Sequence, residues 1–209
     1  MTGVVWHDPA ARAVFAAAGM VTLRDFAACR LGQELTRART RWLRRIELGG
    51  QTWFVKVQDL RRASVPLHRW PSLCLRGSPV AREVRTLALL AAHGFRTPAV
   101  VASGQERGVL LPRIALLVTR EVPGHVDLVR WLAGQPPAEQ VARTLAAARA
   151  LVQRAHDQGL VLLGAKRRNL LVPQAGAQGP EDVVVLDQPD LRRSRSARLR
   201  RKDWRLLGA

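Results

Sequence analysis

Apolar positions recur through "RWLRRIELGGQTWFVKVQ", residues 41–58, on either side of Gly49-Gly50. Two β-rich runs around a two-glycine turn predict an antiparallel hairpin. The period of two puts Trp53, Val55 and Val57 on one face of the second strand, and Phe54 and Lys56 on the other. Residues 9–30 carry a helical pattern, and residues 61–77, with two prolines and no period, predict a loop. A helix then starts at Ser78 as N-cap with Pro79 in its first turn, and stops at Gly94. Val80, Leu87 and Leu90 form its apolar stripe, and Glu83 falls on that same stripe. A carboxylate there is costly unless a cation meets it.

Further along, "RIALLVTREVPG" (113–124) predicts a strand running into a Pro-Gly turn, and with "GQPPAE" (134–139) it marks the boundary between two lobes, 1–122 and 123–209. Residues 137–157 predict a helix opened by Pro136-Pro137, with Val141, Leu145, Ala148 and Val152 on one side. The loop "GLVLLGAKRRNLLV" (159–172) follows, then strands at "NLLV" and "DVVVLD" and a basic C-terminal helix. The loop concentrates Lys166, Arg167, Arg168 and Asn169 with no acid beside them, a composition suited to a polyanion.

Composition sharpens the picture. The chain has 209 residues and a formal charge of +18, which favours anionic partners: nucleic acid, acidic membrane, phosphates or anionic sugars. Nearly all the cations are arginine, as expected of a G+C-rich bacterial gene, so coding bias accounts for part of the excess. Lysine occurs only at 56, 166 and 202, which makes each one more informative. Cys29 and Cys74 lack metal-type spacing and fit free thiols, with one disulfide left open. No His/Cys/Glu spacing indicates zinc. The apolar run "AVFAAAGMVTL" (13–23) is too short for a bilayer span, which needs about 20 residues. A cytoplasmic location is expected, with peripheral contact at the inner membrane left open.

Four features now stand in order: a strand lysine, a helix carboxylate, a loop asparagine and a strand-end aspartate. With "WFVKV", "AREVRTLALLAAHGFRTP", "LVTREVPG", "RAHDQGLVLLGAKRRNLLV", "VVVLD" and "RRKDWRLL", the chain resembles the lipopolysaccharide kinase (Kdo/WaaP) family over roughly residues 35–209. The resemblance implies an α+β, protein kinase-like, two-lobed fold: a small β-rich N-lobe, a short, mainly helical C-lobe and the nucleotide between them. It implies ATP and Mg2+ as cofactors. Lys56 would contact the α- and β-phosphates and Glu83 would pair with it. Asn169 and Asp187 would hold the metal. Thr119–Gly124, with Glu121, would grip the adenine, and Lys166 would sit on the phosphate-facing side of the catalytic loop. The implied acceptor is a sugar hydroxyl, heptose or Kdo, on an anionic glycolipid.

One position departs from the pattern. The catalytic aspartate of kinases lies five residues before the asparagine, where this chain has Gly164; a histidine usually precedes it by two, where this chain has Leu162. Asp157 is the nearest upstream acid, at a helix end. The glycine-rich phosphate loop is also missing from "QELTRARTRW" (33–42). A pseudokinase that binds nucleotide or a partner without efficient transfer is therefore the alternative. An arginine-rich nucleic-acid module is third, disfavoured because basic and aromatic residues do not interleave and tyrosine is absent. Plainer readings stay open: Lys56 on an edge strand, Glu83 bridging Arg82 or Arg85, Asn169 and Asp187 as turn residues, and Arg192–Lys202 as a solvated helix face.

Overall fold

The computed structural model describes residues 3–61, 73–75, 77–108 and 111–208. Most of the loop expected at 61–77 thus lies outside the described residues. The chain divides into two compact units, one of residues 1–85 and 99–121, the other of 86–98 and 122–209.

The first unit is built on a six-stranded antiparallel sheet. Its strands are β1 (Val4–Trp6), β2 (Gln33–Ala38), β3 (Arg41–Leu48), β4 (Gln51–Asp59), β5 (Val100–Arg107) and β6 (Pro112–Arg120), in the order β1-β5-β6-β4-β3-β2. The expected hairpin is β3–β4, with Leu48 opposite Gln51 and both turn glycines at positive φ, 59° and 71°. That is the backbone a two-residue turn needs to match strand twist, and only glycine adopts it twice without cost. β4 lies inside the sheet, bonded to β3 and β6, so Lys56 is not on an edge strand.

Alternation along β4 sorts the two faces as the sequence predicts. Trp53, Val55 and Val57 are buried in a core with Ile46, Leu116 and Val118. Two helices supply the rest of that core, α1 (Pro9–Ala17) and α2 (Leu23–Ala28). The sequence reading gave one helix over 9–30; the structure breaks it at Gly19, whose φ of 75° ends α1, and restarts it at Thr22. The break lets Phe15 and Phe26 meet, with ring centroids 5.6 Å apart, and Phe15 also meets Trp53 edge-on at 5.5 Å. A capping box starts α2: Asp25 donates its N–H to Thr22 Oγ1, and its carboxylate accepts the Thr22 N–H at 2.7 Å.

Helix α3 (Pro79–Ala92) begins as expected, with Ser78 Oγ accepting the Ala81 N–H at 3.1 Å, and is followed by Gly94 at φ 75°. The second unit contains β7 (His125–Asp127), α4 (Leu128–Ala133), α5 (Ala138–Asp157), β8 (Leu160–Val161), β9 (Leu170–Pro173), β10 (Val184–Val185), β11 (Arg192–Arg193) and α6 (Ala197–Leu207). Its core gathers Leu128, Trp131, Leu151, Leu160, Leu162, Leu170, Val185 and Leu207. β9 pairs with both β7 and β10, and β11 pairs with β8. These short ladders hold the loop between β8 and β9 at both ends.

The Asp25 box makes a pH prediction. Hydrogen bonds from Thr22, backbone first and then hydroxyl, hold the Asp25 carboxyl below the usual carboxylate range. A depressed folded-state pKa contributes stability above the unfolded value, and that contribution is lost as pH falls through the folded value. Asp25→Asn keeps an acceptor but removes the charge. Its melting temperature should therefore vary less than wild type below about pH 4, as measured by thermal denaturation across an acid series.

Candidate functional site

Two groups of residues are the candidates, one in each unit. In the first unit the alternation of β4 turns Lys56 away from the Phe15–Trp53 core. Its ammonium donates to both carboxylate oxygens of Glu83 on α3, at 2.7 and 2.8 Å. Both side chains are largely buried, 15% and 8% exposed. This is the cation that a carboxylate on the apolar stripe of α3 requires. Glu121 follows β6: its N–H is donated to Thr52 O at 3.0 Å and its carboxylate lies 3.5 Å from Arg45 Nε.

In the second unit the loop 162–169 is held from beneath by one buried acid. Asp203 of α6 is fully buried and accepts three N–H groups: from Leu162 N at 2.8 Å, Leu163 N at 2.6 Å and His156 Nε2 at 3.1 Å. Leu163 has a positive φ of 58°. For a non-glycine residue that costs on the order of 1–3 kcal/mol, and the Asp203 bond holds it there. His156 is itself buried, edge-on to Trp204 at 5.4 Å, and its carbonyl accepts from Arg200 at 2.9 Å.

The top of the loop is organised around the carbonyl of Gly164. It accepts the Lys166 N–H at 2.6 Å, the Asn169 amide at 2.9 Å and the Gln188 amide at 3.0 Å. Asn169 also donates to the Asp187 carbonyl at 3.4 Å. Its nitrogen is thus committed, and no donor among the described residues engages Asn169 Oδ1. Asp187 stands just beyond β10 at φ 45°, a second non-glycine residue in the left-handed region at this loop. Asn169 and Asp187 therefore offer two hard oxygen donors on segments bonded to each other. Such a set fits magnesium, which keeps several waters and takes the remainder of its ligands from phosphate. Among the described residues no group of three His, Cys, Asp or Glu side chains could hold a metal.

The three loop cations part company. Arg167 donates to Leu207 O at 2.7 Å and to Gly208 O at 3.4 Å, so it caps the C-terminal end of α6. It is structural, where composition alone suggested a polyanion contact. Lys166 and Arg168 are exposed. Asp157 accepts from Gln153 at 2.7 Å on the last turn of α5. Sequence reasoning missed Asp203, Gln188 and the role of Arg167. Asp203 carried one readable signal: it is the single acid among six arginines and lysines between 195 and 205.

The anchor is testable. Asp203→Ala strips three buried donors of their acceptor and should destabilise the protein by about 3 kcal/mol in urea denaturation. Asp203→Asn, which keeps one acceptor oxygen, should cost less.

The sequence pattern of the lipopolysaccharide kinase (Kdo/WaaP) family matches residues 33–207. Among solved structures, WaaP in complex with acyl carrier protein is similar with a TM-score of 0.67 and 22% identity, covering 96% of this chain and 78% of that one. At that identity the likeness speaks to the fold, which is kinase-like and α+β. No curated protein matches the sequence. With a family pattern spanning 33–207 and a fold to agree with it, the chain belongs to the lipopolysaccharide kinase (Kdo/WaaP) family.

Proposed function

We propose that the protein is an ATP- and magnesium-dependent phosphotransferase acting on a sugar hydroxyl, heptose or Kdo, of lipopolysaccharide core. The observation that carries this reading is the doubly bonded pair between Lys56 on an interior strand and Glu83 on α3. A buried ion pair is a poor source of net stability, because desolvation offsets most of the attraction. Its presence is better accounted for by a lysine whose amine must be held in one place for the α- and β-phosphates. Glu83 supplies that hold.

The metal, when bound, neutralises charge on the phosphates. Asn169 and Asp187 are the residues that would bind it, and Lys166 and Arg168 add exposed positive charge on the same loop. Backbone groups of Thr119–Gly124, Glu121 included, are the candidates for the adenine. Gly164 leaves its loop position without a carboxylate, so acceleration here comes from positioning and electrostatics. This same residue favours the second reading, a pseudokinase that binds nucleotide without efficient transfer.

The acceptor class is supported by charge. On α6 the exposed residues Arg198, Arg201, Lys202 and Arg205 share one side at spacings of three and four. Arg193 and Arg195, with His93 and Gln158, line an open pocket of about 410 Å³. A phosphorylated glycolipid at the inner membrane surface suits such a face. No helix among the described residues is long and apolar enough to cross a membrane.

Two measurements test the reading. Purified protein with γ-labelled ATP, magnesium and inner-core lipopolysaccharide should label the lipopolysaccharide. Asp187→Asn should reduce that labelling by at least 10²-fold and raise the magnesium needed for half-maximal rate. Tight ATP binding with no labelling at any acceptor would leave the pseudokinase. Separately, Arg198→Glu/Arg201→Glu should lower retention on anionic vesicles by about tenfold at physiological salt, with ATP binding unchanged.

A further inference from the structure

Gly164 and Gln188 form a matched pair. Gln188 follows Asp187 and is fully buried. Its amide nitrogen donates to two carbonyls, Gly164 O at 3.0 Å and Leu186 O at 2.9 Å. Those two acceptors fix which end of the amide is which, since the oxygen would be repelled by both. The oxygen, Oε1, is therefore turned the other way, and it has no hydrogen-bond partner among the described residues. A Cβ built on residue 164 falls 2.5 Å from that Oε1, 3.3 Å from Gln188 Cδ and 3.4 Å from the Asp187 carbonyl. Residue 164 does not have a positive φ, so the backbone itself accepts a side chain there. The obstacle is Gln188.

We propose that Gln188 is a plug occupying the start of the space in which a kinase of this fold carries its catalytic aspartate. The proposal rests on the kinase reading above and deepens it. In transfer, the acceptor oxygen bonds to the γ-phosphorus, the bond to the β–γ bridging oxygen breaks, ADP leaves, and the hydroxyl proton must go to a base. An amide oxygen is a hydrogen-bond acceptor with no capacity to take that proton at neutral pH. The centre has thus exchanged a base for a neutral brace that ties Gly164 to the end of β10. Residues 164 and 188 are therefore coupled: a larger residue at 164 must push Gln188 off two hydrogen bonds in a fully buried setting.

The experiment is a two-residue cycle of wild type, Gly164→Asp, Gln188→Ala and the double variant. Each is read by melting temperature without nucleotide, by melting temperature with ATP and magnesium, and by ADP release. Gly164→Asp alone should melt about 5 °C lower and release no more ADP than wild type. Gln188→Ala alone should also melt lower, without gain in turnover. In the double variant the losses should be clearly less than additive, because the clash has gone. ADP release should rise about 10²-fold over either single variant, as the introduced carboxylate takes the proton.

If Gly164→Asp alone melts like wild type and gains as much turnover as the double variant, there is no plug. Additive losses in melting temperature likewise overturn it. If the losses are non-additive and ATP stabilises every variant, yet turnover stays flat, the plug does not occupy the position of the base and that assignment is overturned. If they are non-additive and ATP stabilises none, the steric pairing stands and the kinase reading fails.

Discussion

A cation inside an apolar surrounding needs an anion at a fixed place, and the Lys56–Glu83 pair meets that demand. β4 must be interior and in register for Lys56 to reach the side away from Phe15 and Trp53. The α3 helix must start at Ser78 for Glu83 to present both oxygens. Neither residue is tolerable there alone, since an unpaired buried charge costs several kcal/mol. Much of the first unit can be read as the support for this one contact: the Gly49-Gly50 turn sets the strand phase, and the aromatic cluster fixes which face is core.

The second unit solves a different problem, that of holding an irregular loop without regular hydrogen bonding. It does so with two hubs. Asp203 collects N–H donors from below, and the Gly164 carbonyl collects them from above. Between them, Leu163 is held in a left-handed conformation, and Asp187 adopts another just past β10. Strain kept at two positions, on segments bonded to each other through Asn169, marks a shape that the surroundings specify closely. Asn169 belongs to both tasks: its nitrogen braces the loop and its oxygen is left for other work.

How much of this the sequence disclosed follows from how local each signal was. The hairpin, the start and end of α3 and the two faces of β4 depend on neighbours within a few residues, and all were legible. Glu83 was legible for a different reason: it broke its own helix pattern, and a broken pattern asks for a partner. The family followed from the order of such segments. The split between α1 and α2 was missed because Gly19 is tolerated inside a helical pattern, and the deciding contact, Phe15 with Phe26, is tertiary. Asp203 and Arg167 were missed because their partners lie about 40 residues away in the chain. Gln188 gives no signal of its own in the sequence. Its meaning depends on Gly164, a residue whose information is the absence of a side chain, and only coordinates show what fills that space.

The central claim is that the Lys56–Glu83 pair exists to present an amine to nucleotide phosphates. Calorimetric titration of ATP with magnesium into wild type, Lys56→Ala and Glu83→Gln tests it most directly. The account predicts saturable binding to wild type, loss of at least tenfold in affinity with Glu83→Gln, and no measurable binding to a folded Lys56→Ala. Equal affinity in all three proteins, or no heat with wild type, would contradict it.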